Sequence, residues 1–287
     1  MPGKSPRSRR GKPLRPGSDA FATALRHRQN AGRHAVLEQV PFFRQQFANV
    51  PSEWKADDTR VTFADFAISE KIFDELRRSF PDDDFCSEES SPLDELRALS
   101  ADFAWVLDPI DGTNNYFLGI PYCAISLALL YEGVPIYGII YDFSRDTLLH
   151  GGPDHGLFEG KRKRRALDAS LGRDTIIGLH FKLDADLYDK LRPLLTTYRA
   201  RCLGSAALML AYAAAGLIDG VIDHRVKVWD IAAGHALMAG GGGQFHFMRE
   251  PCFPLHDFHV DQPRTPYYAG SPAFCSYVAD LLAEKKQ

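Results

Sequence analysis

The sequence lacks an apolar run long enough to cross a membrane, for which about 18 or more consecutive apolar residues would be needed. Its amino terminus also lacks the apolar segment that follows the basic start of a secretory signal. Cysteine is scarce, with five residues in 287, and these form no CxxC pair or other metal-ligand spacing. We therefore expect a soluble, cytoplasmic protein without a membrane partner, whose cysteines are buried or idle reduced thiols.

An excess of charge of one sign is absent as well. Lys and Arg number 34, Asp and Glu number 37, and the formal net charge is −3, so nucleic acid is not favoured as the main partner. Hydrophobic residues make up 45% of the chain, which excludes a disordered or fibrous protein.

The first residues differ from the rest in composition. Residues 1–16 carry six basic side chains and no acidic one, and residues 1–17 are predicted to be a disordered basic tail because they hold almost no apolar side chains. A solvated arm, a targeting segment and an arm that binds RNA or an acidic partner all remain open for this tail.

Apolar spacing predicts helices and a sheet in the first half of the chain. One or two helices are expected over residues 20–47, interrupted at Pro41, and another from Thr62 to Phe80. Predicted strands cover residues 85–89, 103–107, 124–131 and 136–141, the last two as a hairpin or neighbouring pair, and residues 103–107 as a strand buried on both faces.

The second half alternates strands with helices. Strands are predicted over residues 175–179 and 217–222, and helices over residues 185–198, 205–215 and 231–240, the last ended by a glycine run. The chain is therefore predicted to have an α/β fold with two domains, an α+β domain over residues 18–167 and an α/β domain over residues 168–287.

A basic run, Lys161–Arg165, follows a turn glycine near this boundary. It is either a solvated hairpin tip or an electropositive lip that attracts a phosphorylated substrate.

An acidic motif stands where the buried strand 103–107 ends. Asp108 and Asp111, with the carbonyl of Ile110 between them, offer the oxygen ligands that Mg²⁺ prefers. Gly112 and Thr113 would begin a helix or turn whose free N–H groups suit a phosphate. Simple turn chemistry also accounts for Asp-Pro and Asp-Gly pairs, so both interpretations stand.

Two further acidic positions bear on the choice between a metal site and simple turn chemistry. Glu88 and Glu89 end the strand before the motif, where a solvated loop is the simpler account. Asp230 opens an alanine-rich helix, where it could be an N-cap as well as a ligand.

Together these segments resemble the inositol monophosphatase family, within the lithium-sensitive, magnesium-dependent sugar-phosphatase superfamily. The resemblance spans roughly residues 20–285 and rests on residues 87–90, 108–116 and 229–234, supported by Lys55, residues 61–65, 204–208 and 268–272.

The resemblance implies a layered α-β-α-β-α sandwich, two or three Mg²⁺ ions and a homodimer. The metal ligands would be Glu88, Asp108, the Ile110 carbonyl, Asp111 and Asp230. Phosphate would rest on the Gly112 and Thr113 amides, while Glu88 and Thr113, paired with Asp65, would orient the attacking water. Substrate contacts would come from Asp111, Ser205, Ala206 and Asp223.

Two positions depart from the family pattern. Asp223 stands where the family usually has Glu, so a polyol hydroxyl would be reached less directly. Ser87 replaces the usual Gly, which would introduce strain if that position needs a positive φ.

By resemblance, the expected function is Mg²⁺-dependent hydrolysis of a small phosphorylated polyol or sugar, as by inositol-1-monophosphatase. Alternatives are a fructose-1,6-bisphosphatase, with Lys161–Arg165 receiving the second phosphate, or a phosphatase for histidinol phosphate or 3′-phosphoadenosine phosphates. A remote alternative is a non-catalytic interaction protein that uses the basic tail.

Overall fold

The fold was obtained as a computed structural model, which describes residues 15–54, 60–90, 96–166, 170–180 and 182–283. Its helices are α1 (Asp19–Gln46), α2 (Phe63–Ser79), α3 (Thr113–Leu118), α4 (Ala185–Thr197), α5 (Ala206–Ala214), α6 (Val228–Gly241) and α7 (Pro272–Ala283). Its strands are β1 (Ser52–Trp54), β2 (Arg60–Thr62), β3 (Asp84–Ser87), β4 (Arg97–Ala98), β5 (Phe103–Asp111), β6 (Ala124–Tyr131), β7 (Val134–Asp142), β8 (Thr147–Gly152), β9 (Gly156–Glu159), β10 (Arg162–Arg164), β11 (Ile176–Leu179), β12 (Arg199–Arg201), β13 (Gly220–Asp223), β14 (Gln244–Phe247), β15 (Asp257–Phe258) and β16 (Tyr267–Gly270).

Three predictions from the sequence fall wholly or partly outside the described residues. They are the predicted tail up to residue 14, Lys55, and the boundary after residue 167.

Two large sheets and three helical layers form the body of the fold, and two small two-stranded sheets, β1-β2 and β15-β4, accompany them. The larger sheet has the strand order β10-β9-β8-β7-β6-β5-β3, and the smaller one the order β12-β11-β13-β16-β14. Helices α1 and α2 cover one face of the larger sheet, α5 and α6 lie between the two sheets, and α4 and α7 cover the outer face of the smaller sheet. The predicted α-β-α-β-α layering is therefore confirmed.

Strand β5 is buried on both faces, as its apolar run predicts. Trp105 and Leu107 join the apolar core beneath α1 and α2, whereas Ala104 and Val106 join the core around α5 and α6. Because successive strand side chains alternate between faces, Asp108 points towards α5 and α6. The pattern of the strand thus places the first acidic residue of the motif between the two helical layers.

The predicted interruption at Pro41 is wrong, since α1 is one continuous helix of 28 residues. Pro41 lies on the exposed side of the helix, so the carbonyl that loses its hydrogen bond, at residue 37, can be solvated. Phe43 on the opposite side is fully buried against Tyr116 and Tyr141, and this packing outweighs the cost of the proline.

The remaining predicted elements are found, the strand over residues 124–131 with the predicted bounds and the others with shifted ends. The strand predicted over residues 217–222 begins only at Gly220, because a turn after α5 occupies the preceding residues. All five cysteines are free, as predicted; Cys86, Cys123 and Cys275 are buried, whereas Cys202 is exposed. Within the described ranges, no helix combines the length and apolar character that a membrane span requires.

The basic run Lys161–Arg165 forms the turn and second strand of the β9–β10 hairpin. Strand β10 is the edge of the larger sheet, five strand positions from β5, or about 24 Å at the usual spacing between strands. The interpretation of this run as a lip of the acidic site is therefore wrong, as is its assignment to a second phosphate there.

Candidate functional site

A bulge in β5 brings the two carboxylates of the acidic motif to one face of the sheet. Residues three apart on a regular strand point to opposite faces. Here Asp108 lies opposite Ser126 and Asp111 opposite Ala124, so two residues of β5 are accommodated against one of β6. The motif was expected to follow the strand, but β5 continues through it to Asp111, because the bulge accommodates the extra residue.

Asp230 reaches these carboxylates from the first turn of α6. Asp108, Asp111 and Asp230 each offer one carboxylate oxygen such that all three atoms lie within 4.8 Å of one another. Asp230 is the third residue of the helix, and its carboxylate accepts a hydrogen bond from the amide of Lys227 at 2.6 Å. The N-cap is Lys227, so the interpretation of Asp230 as the N-cap is wrong.

Burial and mutual repulsion make this cluster unfavourable without a cation. The pKa of Asp108 is raised well above its ordinary value by burial and then by the charges of Glu88, Asp111 and Asp230. Burial likewise raises the pKa of Asp230, followed by Asp111 and Glu88. Buried carboxylates gathered in this way are characteristic of a site that holds a metal ion.

Asp111 is held differently, by the amino terminus of α5. Its Oδ2 accepts hydrogen bonds from the Ser205 hydroxyl and from the Ala207 amide at 2.9 Å, and its Oδ1 accepts from the Ala206 amide at 3.2 Å. Burial raises the pKa of Asp111 to about 6, and these three donors limit the rise. Ser205 is itself buried, and its oxygen also accepts from Leu208 as the helix N-cap, so its hydroxyl hydrogen is committed to Asp111.

Asp65 and Thr113 meet beside the motif. Asp65 completes a capping box at the start of α2, with its Oδ2 accepting from the amide of Thr62 at 2.7 Å and from its hydroxyl at 2.6 Å. The Thr113 hydroxyl lies 2.8 Å from the carbonyl oxygen of Ile110 and 3.3 Å from Oδ1 of Asp65. The structure thus brings together Asp65, Thr113 and the Ile110 carbonyl, which the sequence had assigned to one site.

Gly112 turns the chain from β5 into α3. Its φ is 84°, and a Cβ atom there would lie 2.9 Å from the Tyr122 carbonyl oxygen and 3.0 Å from that of Gly204. Only glycine fits such a place, because both the backbone conformation and the lack of space oppose a side chain. Asn115 fixes the same junction by donating hydrogen bonds to the carbonyls of Tyr122 and Leu203 at 2.8 and 2.7 Å.

Glu88 is anchored beside β5 through its backbone. Its amide donates to the Leu107 carbonyl at 3.1 Å, directly before Asp108, and its charge acts on the carboxyls of Asp108, Asp111 and Asp230. The charge of Glu88 therefore acts on the cluster from the loop that follows β3, but its carboxylate is not among the three whose oxygens lie within 4.8 Å of one another.

The concern about strain at Ser87 is wrong, because Ser87 lies in extended β3 and has no positive φ. Its hydroxyl lies 2.8 Å from that of Ser69 and accepts from the Glu89 amide at 3.1 Å. These contacts tie the acidic loop to α2.

Asp223 closes the other end of the site. It is buried at the end of β13, where its Oδ1 accepts from the Arg225 amide at 2.9 Å and its Oδ2 has no hydrogen-bond partner. Burial raises its pKa to about 7. A cavity of about 170 Å³ lies between Asp223 and the acidic cluster, and its lining includes Asp111, Ser205 and Ala206.

Sequence reasoning missed His180 and Arg225, which line the same cavity. His180 follows β11, and its Nδ1 lies 3.9 Å from Oδ2 of Asp223 at the end of the parallel neighbour β13. The carboxyl ends of adjacent parallel strands meet at one edge of a sheet, so the two predicted strands carried a signal for His180. Arg225 had no such signal, since it depends on the path of the loop before α6.

Comparison of this sequence with known proteins identifies a family and several relatives. The sequence model of the inositol monophosphatase family matches residues 22–273. The chain is 34% identical over 210 residues to the Nus factor SuhB of Escherichia coli, covering 68% of this chain and 74% of that protein. It is also 34% identical over 201 residues to the inositol-1-monophosphatase of Mesorhizobium japonicum, with the same two coverages.

A solved structure, the extragenic suppressor protein suhB from Bartonella henselae, superimposes with a TM-score of 0.77 at 25% identity. The match covers 90% of this chain and 98% of that one.

Proposed function

The chain belongs to the inositol monophosphatase family, and from that premise we propose that it is a Mg²⁺-dependent phosphomonoesterase acting on a small phosphorylated polyol or sugar. The observation that carries this proposal is the buried cluster of Asp108, Asp111 and Asp230, beside the Thr113–Asp65 pair. We further propose that the α+β domain over residues 18–167 supplies most of the site and that the α/β domain over residues 168–287 completes it.

The residues present fit a hard divalent cation. Carboxylate oxygens of Asp108, Asp111 and Asp230 lie close together, their repulsion is relieved by positive charge, and oxygen is the donor that Mg²⁺ prefers. We assign Glu88 and the Ile110 carbonyl as further ligands, for two or three ions in all. When bound, Mg²⁺ supplies a Lewis acid that offsets phosphate charge and eases deprotonation of water.

Thr113 and Asp65 would orient the attacking water. The Thr113 hydroxyl has one hydrogen, which it gives to the Ile110 carbonyl or to Asp65. Its oxygen lone pairs are then left to accept a hydrogen bond from water, which fixes the direction of attack. Glu88, facing the same cluster, would accept the second hydrogen of that water.

The start of α3 would hold the phosphate. The amides of Gly112 and Thr113 precede the first helical hydrogen bond, which runs from the Tyr116 amide to the Gly112 carbonyl at 3.0 Å, so both are available to phosphate oxygens. In-line attack on phosphorus depends mainly on positioning and on neutralising charge. The protein supplies both here without a covalent intermediate.

Asp223 would recognise the leaving group, while Ser205 and Ala206 would serve as cavity walls, because their hydroxyl and amide hydrogens are donated to Asp111. The unpartnered Oδ2 of Asp223 faces the cavity that Ser205 and Ala206 also line. A substrate hydroxyl that donates to this oxygen would satisfy a buried polar atom, which favours a polyol. An inositol-1-phosphate-like monoester is the substrate we propose, with fructose 1,6-bisphosphate as the alternative.

Phosphate release tests the proposal. The substrates are inositol 1-phosphate, fructose 1,6-bisphosphate, histidinol phosphate and adenosine 3′,5′-bisphosphate, each with and without Mg²⁺. Asp111→Asn serves as the control, because it keeps the side-chain shape and removes the charge. Turnover that requires Mg²⁺ and is lost in this variant supports the proposal, and no turnover with any divalent ion refutes it.

Some relatives carry the name Nus factor rather than an enzyme name. A non-catalytic role would give no physical reason to keep four mutually repelling acids at one place, so hydrolysis remains the better-supported function. A homodimer and inhibition by lithium are further expectations from the family, and light scattering and Li⁺ titration of the phosphatase assay test them.

A further inference from the structure

Arg60, the first residue of β2, contacts aromatic rings from two different elements. Its guanidinium carbon lies 4.0 Å from the centroid of the Trp54 ring and 4.3 Å from that of Phe117. Trp54 lies directly opposite Arg60 in the β1–β2 pairing, whereas Phe117 belongs to α3. A cation over the face of an aromatic ring is attracted to it, so Arg60 holds the paired strands β1 and β2 against α3.

The same side chain donates hydrogen bonds to both elements. Its Nε donates to Oδ1 of Asn114 at 3.1 Å, and its Nη1 donates to the Ser52 hydroxyl at 2.6 Å. Ser52 opens β1, and Asn114 directly follows Thr113 in the first turn of α3. Arg60 therefore binds the neighbour of the residue that we propose orients the attacking water.

The Asp65–Thr113 pair also joins these two segments, but it is the weaker link. The Thr113 hydroxyl has a single hydrogen, and the Ile110 carbonyl competes for it at 2.8 Å, against 3.3 Å for Asp65. Because hydrogen bonds weaken with distance, this hydrogen is donated mainly to Ile110. Asp65 by itself would hold α3 loosely.

Helix α3 is fixed separately on its two sides. On the buried side, Asn115 donates to the Leu203 carbonyl and the Tyr116 hydroxyl donates to the Phe43 carbonyl, both at 2.7 Å. The contacts with Arg60 act on the side that is more exposed. A helix of six residues is not stable alone, so contacts on both sides are needed to set its orientation.

Resting on the proposed function, we propose that Arg60 is a positioning residue for hydrolysis of the phosphate ester. By binding Asn114 and Phe117 it fixes the exposed side of α3, and with it the separation between Thr113 and Asp65. A planar guanidinium donates in fixed directions while its face contacts a ring, which an ammonium group cannot do. The shape of the Arg60 side chain therefore matters as well as its charge.

Kinetic constants of four variants test this role. They are Arg60→Lys, which keeps the charge, Asn114→Ala, the double variant that combines these two changes, and Arg77→Lys as the matched control. Arg77 also lies over two aromatic rings, those of Phe73 and Phe85 at 5.3 and 5.0 Å, but it is in the last turn of α2, at the opposite end of that helix from β2. The values of kcat and KM are measured at saturating Mg²⁺ with the phosphate ester of the panel that wild type hydrolyses fastest.

We expect Arg60→Lys to lower kcat by about tenfold and to change KM by less than about twofold, because misplacement of α3 affects the transition state more than binding. Asn114→Ala should lose a similar factor, and the double variant no more than either single variant, since each change removes the same link. Arg77→Lys should keep the wild-type kcat. Thermal melts with EDTA should place every variant within about 4 °C of wild type, the effect of one exposed cation–π contact.

A wild-type kcat in folded Arg60→Lys overturns the positioning role alone. Losses that multiply in the double variant, or a loss in Arg77→Lys as large as that in Arg60→Lys, also overturn it. If Arg60→Lys is unfolded at the assay temperature, Asn114→Ala, at an exposed position, decides by the same criterion. The absence of Mg²⁺-dependent hydrolysis of any ester by wild type overturns the proposed function together with this inference.

Discussion

Replacing Gly112 by alanine should lower the stability of the folded protein for two structural reasons. The first is the left-handed backbone, at φ 84°, which costs an alanine about 1 to 2 kcal/mol. The second is close approach, because the new Cβ would lie 2.9 and 3.0 Å from two carbonyl oxygens and 3.3 Å from the Ser205 Cβ. Forcing a methyl group into such a space adds about 1 to 3 kcal/mol.

Gly242 offers the matched control. It ends α6 at φ 79°, and a Cβ atom there would meet nothing within 4 Å. Gly242→Ala therefore carries the backbone cost alone, about 1 to 2 kcal/mol, whereas Gly112→Ala should cost about 2 to 5 kcal/mol. Urea unfolding in the presence of EDTA measures both without a contribution from bound metal.

The two variants should also differ in activity. Relief of the contacts at Gly112 requires α3 or the Gly204–Ser205 backbone to shift, which moves the amides proposed to hold phosphate. A displacement of this kind near reacting groups costs about a hundredfold in rate, so Gly112→Ala should lose most phosphate release and Gly242→Ala should keep it. Equal stability losses in the two variants, or full activity in a folded Gly112→Ala protein, would contradict the reasoning.

Three further predictions follow from the charges and hydrogen bonds of the site. Mg²⁺ should raise the unfolding free energy of wild type, by about 2.7 kcal/mol at a hundred times its Kd, and thermal melts of Asp230→Asn should show no such gain. The folded pKa of Asp223, about 7 against an ordinary 3.8, lies above its unfolded value, so its stabilising contribution is present below pH 3.8 and is lost as the pH rises through 7. The raised pKa values of Asp108, Asp111 and Asp230 also make stability fall as the pH rises, so the comparison is between slopes. In urea unfolding with EDTA between pH 5 and 7, wild type should lose stability more steeply than Asp223→Asn by about 1 kcal/mol per pH unit, and equal slopes would be inconsistent with this shift. Ser87→Ala should lower stability by about 1 to 2 kcal/mol and raise the Mg²⁺ concentration for half-maximal activity, while Ser69→Ala, which leaves the Glu89 amide paired, should change stability alone.

Periodicity predicted about half of the elements of this fold, including its longest helices and strands, and the reason is visible in β5 and α2. The apolar run of residues 103–107 is buried on both faces, and the apolar positions of α2, including Ile68, Ile72 and Leu76, form one buried side. Where the apolar spacing of an element matches the faces that the fold buries, local pattern and tertiary structure agree. Pro41 is the exception, since the tolerance of a helix for proline depends on which side it faces, and that is set by packing.

The acidic residues of the candidate site could be found from the sequence because they lie within short motifs. Their arrangement could not, because the bulge at Asp108 and Asp111 depends on the pairing of β5 with β6. Arg225, which lines the cavity, was missed for a related reason. The loop that holds it is joined to a distant segment by the hydrogen bond from the Thr265 amide to the Val226 carbonyl, and no local pattern records such a meeting.

Asp111 and Asp230, which come from different halves of the chain, are both held in place at the amino terminus of a helix. Asp111 accepts from the first amides of α5, and Asp230 accepts from the amide that begins α6. Helix amino termini carry partial positive charge, so each carboxylate is held in place and partly compensated before any cation arrives. A cluster held only by the metal would rearrange when the metal leaves, whereas these hydrogen bonds remain. These hydrogen bonds preorganise the site for the cation that we propose, and Mg²⁺ binding should add stability without remodelling α5 or α6.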